Sequence, residues 1–152
     1  PTIHPLQTTA PTSPSLPLQF LKYALCGGTA FCFHQLVVYS LGYTINPAFD
    51  PSLGDELRFQ RSALNNTLAF LVSNTVAYLL NIRFVFQSGR HSRKKEIALF
   101  FFAAALSFFP ALFALDLIIR TYSLNTHFAN IVFATTAASA NFFIRKFLIF
   151  AK

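Results

Sequence analysis

The chain has no methionine, no tryptophan, two cysteines and only five acidic residues among 152. Charged residues of both signs make up 11%, where a soluble domain carries about a quarter. That shortage excludes an ordinary soluble enzyme. The apolar share, 54%, excludes a disordered or collagen-like chain. Cys26 and Cys32 stand six apart, about 240° around a helix, which excludes an intrahelical disulfide and leaves small apolar packing residues. There is no zinc-type Cys/His spacing and no glycine-rich phosphate loop. No nucleophile is paired with a base, and no two carboxylates are placed together. No metal, no cofactor and no enzymatic activity are therefore expected. Pro1 fits removal of an initiator methionine, so the N-terminus is expected to be intact.

What is present is hydrophobic length. Twenty residues are phenylalanine, and the mean hydropathy is +0.50. A bilayer core of roughly 30 Å needs about 20 mostly apolar residues per helix. Four runs reach that length, at about 20–41, 64–86, 97–119 and 128–150. Phe100–Ala105 and Thr135–Ala140 lack the alternation a barrel strand needs, so the spans are helices. The expectation is an all-α integral membrane protein with four transmembrane helices. Pro110 is expected to kink the third. Residues 1–18 hold five of the eight prolines, with neither a basic nor an apolar signal segment, and read as a flexible tail before a domain over 19–152.

The net charge of +7 matters less than its distribution, and it does not call for nucleic acid. With both termini and the second connection on one side, that side owns Lys22, Arg83, Arg90, Arg93, Lys94, Lys95, Arg145, Lys146 and Lys152, nine of the twelve cations. Arg58, Arg61 and Arg120 fall on the other. Positive loops stay inside, so both termini are expected to be cytoplasmic. Tyr78–Phe86 aligns with Phe142–Phe150: each ends an apolar helix with a cation and a short apolar tail. The chain reads as two helix pairs of the same topology, unless all inner helix ends simply look alike.

Polar groups inside a membrane are expensive and each needs an account. Thr67, Asn74 and Asn81 recur every seven residues on one face of the second helix; Asn130 and Asn141 nearly align on the fourth. These stripes either line a polar groove or hydrogen-bond helix to helix. Lys22, Arg83, Arg145 and Lys146 gather at the inner interface, where they either hold a lipid phosphate or only signal topology. Asp116 and Arg120 stand at i, i+4, either as a neutralised pair or as a sugar contact. His34, midway along the first helix, is either a packed neutral residue or one that meets a head group or a proton. Gly27, Gly28 and Ala138 are small residues that let helices approach, within the chain or against a second copy, so a homodimer is expected.

Gln19–Tyr23 with Cys26-Gly27-Gly28, Tyr78–Phe86, and Asn141–Lys146 together resemble the GtrA-like family over about residues 19–150. Lys22, Gly27, Gly28, Asn81, Arg83, Asn141 and Arg145 match its pattern; His34 and Ala77 stand where it often has an acid and an Asn. The resemblance implies a small four-helix protein of the bacterial inner membrane. Its expected role is to translocate a polyprenyl-phosphate-linked monosaccharide for surface polysaccharide or cell-wall glycosylation, beside a polyprenyl-phosphate glycosyltransferase. The alternative is a non-transporting membrane partner that recruits or stabilises such a glycosyltransferase. A drug or ion exporter would want a carboxylate at the bundle centre, and Asp116 lies near a helix end beside Arg120.

Overall fold

The computed structural model describes residues 16–84 and 93–148; within them, the side chains at 16, 17, 19, 20, 93, 96, 142 and 145–148 are outside the described set. The tail before 16, most of the basic connection and the far ends of the repeated segments therefore lie outside the described residues.

Four long helices carry the fold: α1 (Leu16–Tyr43), α2 (Asp55–Phe84), α3 (Arg93–Asp116) and α4 (Thr126–Leu148). No strand occurs among the described residues. Stretches Leu21–Tyr43, Asp55–Phe84 and Ile97–Thr121 are long and apolar enough to cross a membrane. The fourth helix has 23 residues, about 34 Å of rise. This is an all-α membrane architecture.

The surface is inside out relative to a soluble protein. Leu25, Leu36, Leu71, Phe102, Phe109 and Phe113 face outward, while His34, Asn65, Asn66, Asn74, Asn81 and Asn130 are buried. In lipid the apolar exterior carries no penalty, and Asn65, Asn66 and Asn130 find hydrogen-bond partners within the bundle.

One element differs from the sequence reading, for a physical reason. The second helix starts at Asp55 rather than at the apolar boundary near 64. Its first turns are polar and project past the span, and Asp55 and Glu56 lie in the first turn, where the helix dipole favours acids. Hydropathy cannot see such an extension. Helix α3 carries Pro110 inside it and is followed directly by a π turn at Leu117–Thr121. Ser123 then takes a left-handed backbone (φ 49°) that turns the chain into α4.

Helices α1 and α2 pack as one pair, and α3 and α4 as the other. The pairs meet through α2 against α3 and its π turn, and only thinly through α2 against α4. Among the described residues the backbones of α1 and α4 do not meet. The dense core lies towards the two short loops: Phe108, Ala111, Leu115, Ile119, Ala129 and Phe133, backed by Phe59, Ala63 and Phe70. We call this the loop end and the opposite one, with Lys22 and Arg83, the basic end.

The loop end is cross-braced. Arg58 pairs with Asp55 and donates to Leu124 O (3.0 Å) and Thr126 Oγ1 (3.3 Å). Arg61 donates to Pro47 O (2.8 Å). Arg120 pairs with Glu56 (3.1 Å) and Asp116 (3.2 Å) and lies over Phe59. Asn46 and Asn65 exchange two bonds of 2.9 and 3.0 Å. Tyr39, Tyr43, Phe49 and His127 stack across the outer gap between α1 and α4, Phe49 and His127 at 4.3 Å and nearly parallel. Gly42 permits this: a Cβ there would overlap the Phe49 ring.

Candidate functional site

Because α1 and α4 stay apart, a cavity of about 290 Å³ opens between the pairs. Every helix lines it, with Tyr23, Gly27 and His34 from α1, Ser73 and Asn74 from α2, Ser107 from α3 and Asn141 from α4 among its walls. Ala24, Gly27 and Phe31 along one rim and Ala138 on the other are exposed, so the opening runs down the α1–α4 seam. Only side chains bridge that seam: His34 stacks on Phe133 (5.8 Å, 12°), and Tyr43 and His127 meet at the loop end.

The closed end of the cavity rests on a hydrogen-bond chain through the bundle. Asn130 Nδ2 donates to Thr126 O (2.8 Å), and Asn66 Nδ2 donates to Ser62 O (2.8 Å) and to Asn130 Oδ1 (2.7 Å). Backbone carbonyls only accept, so they fix which way each amide faces. Asn66 Oδ1 must then accept from His34 Nε2 at 3.1 Å, which places a proton on that nitrogen. The other ring nitrogen, Nδ1, faces Ser73 Oγ at 3.3 Å. Asn66 and Ser73 carry this network, and the sequence reading singled out neither. Their signal is in the sequence: Ser62, Asn66 and Ser73 recur at helical spacing on one face of α2, beside the stripe of Thr67, Asn74 and Asn81. Thr67 of that stripe donates to Ala63 O on its own helix.

The cavity also presents an unanswered donor. Asn74 is 7% exposed, and among the described residues its Nδ2 has no partner. A buried amide hydrogen left unpaired is costly, so the group is suited to a ligand oxygen.

Of the residues singled out from sequence, His34, Asn74, Asn141, Gly27 and Ala138 line the cavity. Asn130 supports it from behind, through Asn66. Asn81 is buried on α2 outside the lining, bonded to Ala77 O (2.7 Å) with its Oδ1 unpaired among the described residues. Asp116 and Arg120 are at the loop end, tied to each other and to Glu56. Gly27 and Gly28 make no close helix contact in the chain: a methyl at either would meet nothing within 4 Å.

Lys22 closes the basic end of a second groove of about 270 Å³, on the α1–α2 face, with Leu25, Cys26, Thr29, Leu80 and Phe84. Arg83 is exposed nearby in sequence, one residue before the end of α2. Neither cation has a carboxylate partner among the described residues. The backbone of Arg145 and Lys146 belongs to α4 on the same end, but their side chains are outside the described set.

Comparison with known proteins gives one match. The family model GtrA/DPMS, transmembrane domain, matches residues 22–150. No curated protein and no solved structure matches the chain.

Proposed function

The chain belongs to the GtrA/DPMS transmembrane-domain family, which is involved in lipid-linked sugar translocation, and from that premise we propose that it moves a polyprenyl-phosphate-linked monosaccharide between the leaflets of the inner membrane. The observation that carries the reading is the membrane-embedded cavity with the unpaired Asn74 donor on its wall and an opening along the α1–α4 seam. A side opening lets a sugar enter while its prenyl chain stays in lipid. Taking the sugar from water is the costly step, because unpaired polar groups cost several kcal/mol each in hydrocarbon. Asn74, His34, Ser73 and Asn141 replace part of the lost hydration.

The phosphate is first held at the basic end, with that end on the cytoplasmic side, and passes from there into the cavity. Lys22, Arg83, Arg145 and Lys146 supply the charge there, and Arg offers a two-pronged grip on phosphate oxygens. The apolar groove ending at Lys22 suits the first units of the chain. Asp116 and Arg120 are spent on the loop end and take no part. The non-transporting partner reading has no such use for an unpaired amide donor on a cavity wall.

The test is a vesicle assay with the purified protein and a polyprenyl-phosphate monosaccharide, run with wild type and Gly27→Leu. A Leu side chain at 27 enters the cavity without a clash at its Cβ. Wild type should move the lipid; Gly27→Leu should lose at least about tenfold in rate with unchanged thermal stability. Absent protein-dependent movement, or an unaffected variant, overturns the reading in favour of a partner protein.

A further inference from the structure

We infer that His34 is a proton-uptake site whose protonation is coupled to the anionic phosphate in the cavity, so that lipid and proton are bound together; this rests on the proposed translocation. A phosphodiester entering the bundle carries its negative charge away from the cations of the basic end. Among the described lining residues of the cavity there is no Lys, Arg, Asp or Glu. His34 is the lining side chain able to become a cation, and it stands a little past the middle of the Leu21–Tyr43 span.

The surroundings of the ring fit two protonation states without moving a heavy atom. Nε2 keeps its proton in both, donating to Asn66 Oδ1. With Nδ1 bare, the Ser73 hydroxyl donates to it. The same hydroxyl lies 3.3 Å from Phe70 O. When a proton from the cavity adds to the Nδ1 lone pair, Nδ1–H donates to Ser73 Oγ, and the hydroxyl turns to Phe70 O. No other bond forms or breaks. A purely structural histidine in this chain of amides would need only the first arrangement.

No fixed charge competes. On α1 the nearest titratable group in the cavity is Tyr23, three turns away. From α2 the ring meets Asn66 and Ser73, and from α4 it meets Phe133. The α3 side of the cavity presents Ser107 and Phe108. None is charged, so a protonated ring in the empty cavity has no counter-ion, and a bound phosphate supplies one. Reciprocity follows: whatever the phosphate contributes to proton binding, the proton contributes to lipid binding. The phosphate then passes the middle of the membrane beside a neutralising charge on His34, and Nδ1 returns its proton to the cavity when the phosphate leaves.

The test measures binding of a polyprenyl-phosphate monosaccharide to the detergent-solubilised full chain between pH 8 and pH 6, with proton uptake read by a dye in weak buffer. A phosphodiester does not titrate in that range. Affinity should rise as pH falls, by up to about tenfold per unit, with uptake approaching about one proton per lipid. His34→Gln keeps a donor for Asn66 and should bind lipid with no pH slope and no uptake. His4→Gln/His91→Gln/His127→Gln, which leaves His34 as the sole histidine, should keep both, and it serves if His34→Gln does not fold. Lipid bound with a flat pH profile, uptake that survives in His34→Gln, or uptake lost in the triple variant overturns this inference and leaves the translocation reading standing. Failure to bind lipid at either pH overturns both.

Discussion

The two ends of this small bundle treat charge in opposite ways. At the loop end Arg58, Arg61 and Arg120 all have partners: carboxylates, backbone carbonyls or an aromatic face. At the basic end Lys22 and Arg83 have no carboxylate partner among the described residues, and the polar cavity opens on that half. Charges that are answered inside the chain hold the fold together. Charges without a carboxylate partner at the other end are available to something else. The difference separates a clamp from a site in a protein too short to give them separate domains.

Substitutions at the basic end should therefore damage function while sparing stability. The largest effect is expected from Arg83→Ala/Arg145→Ala, which should abolish glycosylation of the surface polymer in cells while the protein still inserts and folds. Arg83→Ala alone should weaken lipid binding by about tenfold or more, the loss of a charge-assisted hydrogen bond. Arg83→Lys should lose less, without recovering the two-pronged grip. Equilibrium binding in detergent checks the single variants, and an unchanged affinity in Arg83→Ala would remove that residue from the phosphate site.

The loop end should show the reverse. Arg58→Ala deletes an ion pair and two hydrogen bonds from a side chain that is 12% exposed. It should cost about 1.5–3 kcal/mol in reversible unfolding, with lipid affinity unchanged in the folded fraction. A smaller loss, near the low end of about 1–3 kcal/mol, is expected from Gly42→Ala, whose methyl pushes the Phe49 ring out of its stack with Tyr39, Tyr43 and His127. Near-ultraviolet circular dichroism would follow that aromatic cluster. If either variant impaired lipid binding more than stability, the division between clamp and site would blur.

The spans were legible in the sequence because lipid imposes a minimum apolar length that few other environments demand. The packing of α1 with α2 and of α3 with α4 agrees with the two helix pairs read from the sequence, while the far ends of the repeated segments lie outside the described residues. The polar start of α2 was not legible, since no apolar run marks it. For the site, Asn74 and His34 could be named as intramembrane polar residues. Which amide meets which ring depends on how α2 rotates against α1 and α4, and a single helix face does not encode that rotation. Asn66, which joins three helices, looked like one more asparagine in a run. Asp116 and Arg120 were noticed for their spacing, but Glu56, which engages Arg120, lies in a segment that reads as loop.

In the proposed translocation the sugar occupies the cavity between the helix pairs. The most direct measurement is photo-crosslinking with a polyprenyl-phosphate monosaccharide that carries a diazirine on the sugar, followed by peptide mapping of the labelled protein. Label should fall on residues 23–34 of α1 and 133–141 of α4, and unlabelled lipid should compete it away. Competable label concentrated at the loop end, around Glu56, Asp116 and Arg120, would contradict the claim.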